Sequence, residues 1–125
     1  MDSGKCISPW DNFIYSDPLA DIEKAREKVL LACGKKPNLL VMSKKVLDIF
    51  LNHPLVVDFH KEHSRRIPMP PIHKYRIEGM LGIRILLNEE MVGNCLVIYS
   101  HNPQSNDDYL REVGKFGYLI ETGIK

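Results

Sequence analysis

The side chains best suited to chemistry are three histidines near the middle of the chain, His53, His60 and His63, with Glu62 alongside. Histidines three residues apart on a helix face the same way, which a zinc ion requires of two of its ligands. The segment HKEH is not the HExxH motif, however, and no cysteine or carboxylate pair completes a recognisable ligand set. A metal site at these histidines is therefore one hypothesis, and solvated surface histidines are the competing interpretation.

The three cysteines, Cys6, Cys33 and Cys95, form no CxxC pair, and their number is odd. That pattern is typical of reduced thiols in a cytosol and not of a disulfide framework. Only Cys6, which follows Lys5, has a sequence neighbour that would lower the pKa of its thiol. Cys33 and Cys95 lie inside apolar patterns and are predicted to be small core residues.

One basic cluster stands out, made of Lys61, Arg65 and Arg66 next to a proline-rich stretch at residues 64–71. Such a cluster suits a phosphate or an acidic partner. The chain has no GxxxxGK[ST], GxGxxG or GxSxG motif, so neither a phosphate loop nor a serine nucleophile has support. We therefore expect a protein that is not an enzyme and that holds no cofactor.

Length and composition limit the remaining classes. A chain of 125 residues with 44% hydrophobic residues suits one domain with one ordinary core. Its 17 Lys and Arg against 16 Asp and Glu give no basic excess, so specific nucleic-acid binding is not expected. No apolar run is long enough to span a bilayer, and the first residues do not resemble a signal peptide, so we expect no membrane association.

The first half of the chain predicts helix, strand, helix and helix. Asp17 and Pro18 have the residue types of a helix N-cap and first position, and Gly34 ends that helix, with Pro37 shortly beyond. The run at residues 39–42 predicts a strand covered on both faces, after which Ser43 caps a second helix. His53 and Pro54 interrupt this helix, and residues 55–62 continue as helix. We expect the inward side chains of that last segment to be Val56, Val57 and Phe59.

The second half predicts mostly strands. Residues 64–71 read as an extended loop, and a short helix over residues 74–80 is stopped by Gly82. Strands are predicted at residues 83–87, 95–99 and 116–121, with a polar loop at 101–108. The element order predicts an α+β domain over residues 17–125, preceded by a polar and aromatic lead at residues 1–16.

A longer pattern is more specific than these motifs. Trp10 precedes SDPLADI at residues 16–22, and an amphipathic helix then leads to GKKPN at 34–38. The strand LVMS runs into a helix that ends in LNHP at 51–54, and LGIRILL at 81–87 follows a short helix. In this order and spacing, residues 10–100 resemble the major capsid proteins of tailed phages, which have the Hong Kong 97 type fold. The residues that carry the resemblance are Trp10, Asp17, Pro18, Asp21, Gly34, Pro37, Asn38, His53 and Pro54.

The resemblance implies a central, mostly antiparallel or mixed sheet flanked by helices, similar to the axial domain and part of the peripheral domain of that family. It also implies a structural protein that acts by self-assembly, in the virion capsid or, for a prophage remnant, in the host cytoplasm. Its partners would be copies of itself or full-length capsid subunits. The loops at 64–71 and 101–108 would then lie near symmetry axes. We expect Trp10, Phe13 and Tyr15 to cover the core and not to anchor a neighbouring subunit.

The chain also departs from that family. Its members carry an N-terminal arm, an extended loop and a long spine helix before the corresponding region, and residues 1–9 offer none of these. Three hypotheses follow: a fragment, a degenerate prophage reading frame, or a small protein that kept the capsid domain. Such a chain would co-assemble with full-length subunits or poison their assembly. Two functions of other classes stay open, namely a binding module built on Lys61, Arg65 and Arg66, and the metal enzyme of the three histidines.

Overall fold

The computed structural model describes residues 2–64, 72–99 and 117–124. In chain order, the elements of these residues are β1 (Asp2–Lys5), α1 (Pro18–Cys33), β2 (Leu39–Met42), α2 (Lys44–Asn52), α3 (Pro54–His63), α4 (Lys74–Leu81), β3 (Arg84–Leu87), β4 (Asn94–Ile98) and β5 (Gly117–Glu121). The strands form one sheet in the order β1-β5-β4-β2-β3. The predicted α+β class with a mixed sheet is confirmed.

The longest helix, α1, begins and ends as its sequence predicts. The Asp17 carboxylate accepts the backbone N–H of Ala20 at 3.0 Å, and Pro18 occupies the first turn without losing a needed donor. Gly34 ends the helix in the left-handed conformation, at φ 73°, and its N–H donates a hydrogen bond to the Leu30 carbonyl. No helix in the described part of the chain is both long and apolar enough to cross a membrane.

The middle of the sheet is β2, and all four of its residues are buried, as its unbroken apolar run predicts. It pairs parallel with β3 and antiparallel with β4, so these two strands are separated by β2 and do not form a hairpin. Leu40 and Met42 face the helices, in a cluster with residues of all four of them. Leu39 and Val41 point to the opposite face and pack with residues of β4.

One strand was not predicted. Residues 2–5, part of the predicted polar lead, form β1, which pairs parallel with β5 at the edge of the sheet. Their sequence DSGK is rich in residues that strands usually avoid, so it carries no strand signal. The pairing rests on backbone hydrogen bonds to a distant segment. Glycine at position 4 also avoids a steric clash, because a β-carbon there would collide with the Tyr118 hydroxyl.

The inward face of α3 differs from the prediction. Val56 is fully buried as expected, but Val57 and Phe59 are only half-buried, and His60 takes the second inward position. Because α3 is a separate helix that begins at Pro54, its buried side chains follow its own four-residue spacing, from Val56 to His60. A hydrophobicity pattern cannot anticipate a histidine at a core position.

Two glycines in the left-handed region allow a matched prediction. Gly93, at φ 70°, leaves no room for a β-carbon because the Ile124 carbonyl oxygen occupies that space, whereas Gly34 faces open space. We expect Gly34→Ala to cost about 1 kcal/mol of unfolding free energy, from backbone strain alone. Gly93→Ala adds a backbone collision and is expected to cost about 3 kcal/mol. Urea unfolding measures both, and equal losses would contradict this account of the packing.

Candidate functional site

Four buried side chains form a group of polar contacts that we call the N-terminal clamp: Trp10, Ser16 and Asp21 near the start of the chain, and His53 from the end of α2. Trp10 and Ser16 lie on the segment before α1, while Asp21 lies in the first turn of α1. His53 connects α2 to α3, because it is both the C-cap of α2 and the N-cap of α3. The clamp therefore fixes the N-terminal segment onto three helices.

The first half of the clamp is an indole–carboxylate pair. The Nε1–H of Trp10 donates to Oδ2 of Asp21 at 2.9 Å, and the backbone N–H of Ile7 donates to Oδ1 at 3.2 Å. The indole is fully buried and packs against Phe50, with ring centroids 5.8 Å apart. Burial raises the pKa of Asp21, although the hydrogen bonds from Trp10 and Ile7 oppose that rise.

The second half is built on a histidine whose protonation state follows from its partners. Nδ1 of His53 accepts the backbone N–H of Leu55 at 3.2 Å, so in the neutral ring the proton is on Nε2. Nε2 then donates to Oγ of Ser16 at 2.7 Å, and the Ser16 hydroxyl donates to the Asn12 carbonyl at 2.6 Å. Burial lowers the pKa of His53, and the Asp17 carboxylate only partly offsets that change. Both ring nitrogens are used structurally.

The structure does not bring the three histidines of the metal hypothesis together. Nε2 of His60 is buried and accepts from Nε of Arg76 at 3.3 Å, while His63 is exposed and lies 2.9 Å from the Phe59 carbonyl. Burial lowers the pKa of His60, and the positive charge of Arg76 adds to the effect. Across residues 2–64, 72–99 and 117–124, no three His, Cys, Asp or Glu side chains are placed to hold a metal ion.

Neither Cys6 nor Cys95 is activated as a thiolate. Burial raises the pKa of Cys6, and the nearby Asp21 carboxylate raises it further, so the expected lowering by Lys5 is wrong. Cys95 is completely buried in the core, which raises the pKa of its thiol to about 12. Cys33 is half-buried, with its Sγ 3.1 Å from the Val29 carbonyl. Cys95 is the small core residue predicted, and Cys33 lies at the edge of that core.

The other residues that carry the capsid resemblance lie at helix ends or next to β2. Gly34 ends α1, and Pro54 begins α3. Pro37 is buried, and Asn38 extends the sheet, because its N–H donates to Ile98 and its carbonyl accepts from Arg84. In the predicted basic cluster, Lys61 is exposed on α3, whereas Arg65, Arg66 and the polar loop at 101–108 lie outside the described residues. The binding-module hypothesis therefore stays a prediction.

An exposed apolar patch lies between Trp10 and Ser16. Phe13, Ile14 and Tyr15 are 42%, 83% and 72% exposed, and we call these three residues the apolar patch. Phe13 packs edge-on against the His53 ring at 5.2 Å, and the backbone N–H groups of the other two donate to Oδ1 of Asn12. The sequence predicts that Trp10, Phe13 and Tyr15 cover the core, and of these three only Trp10 is fully buried.

A groove lies between α1 and α3, which contact each other. Its volume is about 440 Å³, and the side chains that line it are of two kinds, apolar and acidic. The apolar members are Leu19, Ala20, Leu55 and Phe59, and the acidic members are Asp17, Glu23, Asp58 and Glu62. We call it the acidic groove. Neither the groove nor the apolar patch was found from sequence, because both depend on which helices become neighbours.

Comparison with solved structures finds proteins of similar fold. The chain is similar to the crystal structure of a phage-related protein from Bordetella bronchiseptica RB50, with a TM-score of 0.73 and 19% sequence identity. The match covers 97% of this chain and 56% of that chain, so this chain spans little more than half of the relative's length. No family model and no curated protein matches. At this identity the likeness establishes a shared fold, seen in a phage-related protein.

Proposed function

We propose that this chain is a structural, non-enzymatic protein of phage origin that acts by self-assembly, as a major capsid subunit or a truncated remnant of one. The observation that carries the proposal is the apolar patch: Phe13, Ile14 and Tyr15 are consecutive, large and exposed. Contiguous exposed apolar side chains on a folded domain usually mark an interaction surface. A shell subunit needs such surfaces and needs no nucleophile.

The way in which the apolar patch is held in place supports its role as an interface. A loose apolar loop loses conformational entropy on binding, which reduces its affinity. Here Trp10 on one side and Ser16 on the other are buried in the clamp, so the segment between them is held in place before any partner arrives. In a symmetric assembly the same patch is repeated on every copy, and contacts that are weak one by one add up.

Two further points support the proposal, the first a phage origin and the second a capsid subunit. One structural relative is a phage-related protein, and the likeness covers nearly the whole of this chain. The residues that resemble the capsid family are also those that build the clamp and the helix ends, namely Trp10, Asp17, Asp21 and His53. We propose copies of this chain or full-length capsid subunits as partners, and a location in the virion or, for a prophage remnant, in the host cytoplasm.

The test is a charged substitution in the apolar patch. We expect Ile14→Asp to weaken self-association at least tenfold, because a carboxylate would have to be desolvated in the interface. Val92→Asp is the matched control, since Val92 is 71% exposed in the turn before β4 and lies outside the patch. Sedimentation velocity over a concentration series measures the effect. Equal association constants for the two variants would contradict the role of the patch.

A further inference from the structure

The two edges of the sheet differ in the sequence of their outer strands. In the described part of the chain, β1 lies at one edge and β3 at the other. The DSGK sequence of β1 is polar and has little tendency to form a strand, whereas residues 83–87, at β3, read IRILL. A short apolar segment of high β propensity at a sheet edge can pair with a strand of another molecule. The β3 edge is therefore the one that requires protection.

Successive residues of β3 direct their backbone groups to opposite sides of the strand. The N–H groups of Arg84 and Asn88 donate to carbonyls of β2 and of the residue before it, at 3.2 and 3.0 Å. Because the direction alternates, the backbone groups of Ile85 and Leu87 point away from β2. These are the groups to which an added strand would bond.

Two side chains of α4 already occupy the outward groups of Ile85. The Glu78 carboxylate accepts the N–H of Ile85 at 2.7 Å, and the Lys74 ammonium donates to the Ile85 carbonyl at 2.9 Å. Lys74 and Glu78 are one helical turn apart and form an ion pair at 3.7 Å, with side chains only 23% and 16% exposed. We call these two residues the edge plug. They offer the donor and the acceptor that a neighbouring strand would offer.

The core holds the edge plug in place. Ile77, which precedes Glu78 on α4, is completely buried. The helix ends at Gly82 in the left-handed conformation, at φ 68°, and β3 begins two residues later, which fixes α4 beside the strand. Because α4 cannot leave β3 without exposing Ile77, the plug is a permanent part of the folded chain.

We propose that the edge plug closes the β3 edge to strand addition, and that this edge, without the plug, pairs with the β3 edge of a second copy. A second copy is the occupant because every molecule would present the same open edge. Two copies related by a two-fold axis can pair antiparallel through the outward groups of Ile85 and Leu87. The plug thereby keeps edge pairing apart from association through the apolar patch, and the inference does not depend on the proposed function.

The test removes the plug in a chain that also carries Ile14→Asp, so that the apolar patch does not contribute. The plug variant is Lys74→Ala with Glu78→Ala. The matched control is Lys44→Ala with Asp48→Ala, an exposed lysine and carboxylate with the same spacing on α2. We expect the plug variant to self-associate roughly tenfold more tightly than the control, because its freed backbone groups gain partners in the dimer. Sedimentation velocity measures both, and circular dichroism verifies the fold.

A second substitution shows whether the edge itself carries the association. Leu87→Pro removes an outward N–H, which an edge strand tolerates because that group does not bond to β2. Added to the plug variant, it should abolish the extra association. Association of the plug variant that is no tighter than that of the control, or that survives Leu87→Pro, overturns the proposal.

Hydrogen exchange tests the plug without a change in association. The Ile85 amide of the unmodified chain should exchange with deuterium slowly, and roughly tenfold faster in a dilute sample of the plug variant, since its acceptor is lost. Fast exchange at Ile85 in the unmodified chain overturns the proposal even if the plug variant does not fold. The proposed function is tested separately, by Ile14→Asp against Val92→Asp.

Discussion

Trp10→Ala is expected to remove about 4 kcal/mol from the free energy of unfolding, within the range measured for deleting a buried tryptophan. The indole is completely buried, packs on Phe50 and donates to Asp21, so the substitution leaves a cavity and also a carboxylate without its main donor. A domain of this size has only about 5–15 kcal/mol of stability. The melting temperature should therefore fall by roughly 15 °C.

Two further variants divide that loss into its parts. Trp10→Phe keeps most of the packing but removes the indole N–H, and should cost about 2 kcal/mol, as expected for a buried hydrogen bond to a charged group. Tyr15→Ala changes an aromatic residue that is 72% exposed on the same segment, and should cost less than about 0.5 kcal/mol. Urea unfolding of the three variants measures these losses. If Trp10→Ala were no more harmful than Tyr15→Ala, the clamp would not hold the segment.

His53→Leu is expected to cost about 2 kcal/mol, because it removes the N-cap of α3 and the hydrogen bond to Ser16 while it keeps the buried volume. His53→Asn is the informative partner. An asparagine side chain can cap the Leu55 N–H but is too short to replace the imidazole at Ser16, so about half of the loss should return. Urea unfolding at pH 7.5 measures both variants, and equal losses would mean that His53 does not act as a cap.

The same histidine gives the stability a defined pH dependence. Burial lowers the pKa of His53 and of His60 from the ordinary value of 6.5. At mildly acidic pH the unfolded state therefore binds more protons at these two histidines than the folded state does. Their contribution to stability should be constant above the unfolded pKa and decline as the pH falls below 6.5, until the folded-state pKa values are reached. His53→Leu should make this decline shallower, with His60 providing what remains. An unchanged slope between pH 7.5 and pH 5 would contradict the buried, neutral assignment.

The elements predicted correctly are those whose signals are local. The cap at Asp17, the left-handed Gly34 and the apolar run of β2 each depend on a few neighbouring residues, and the structure confirms all three. β1 was missed because the strand with which it pairs, β5, lies at the other end of the chain. His60 was assigned to the surface because a pattern of residue types does not show that Arg76 satisfies its buried nitrogen.

The candidate site shows the same difference between local signals, which a sequence reveals, and long-range contacts, which it does not. The spacing of Trp10, Asp21 and His53 was visible as a resemblance, without a physical reason for it. The structure supplies that reason, since Trp10 and Asp21 bond each other and His53 is joined to the same segment through Ser16. The apolar patch and the acidic groove were missed, because exposure is a property of the packed chain. Phe13 and Tyr15 have the residue types of a core, yet the structure leaves them exposed on the segment between Trp10 and Ser16.

The central claim, that this chain acts by self-assembly, is tested most directly by its mass in solution. Multi-angle light scattering of the unmodified chain, from low to high micromolar concentration at low ionic strength, gives the weight-average mass. We predict a mass of 14.4 kDa at the dilute end that rises steadily with concentration, with rings or larger particles in electron micrographs of the concentrated sample. A mass that stays at 14.4 kDa throughout, with no incorporation into shells of a full-length phage coat protein, would contradict the account.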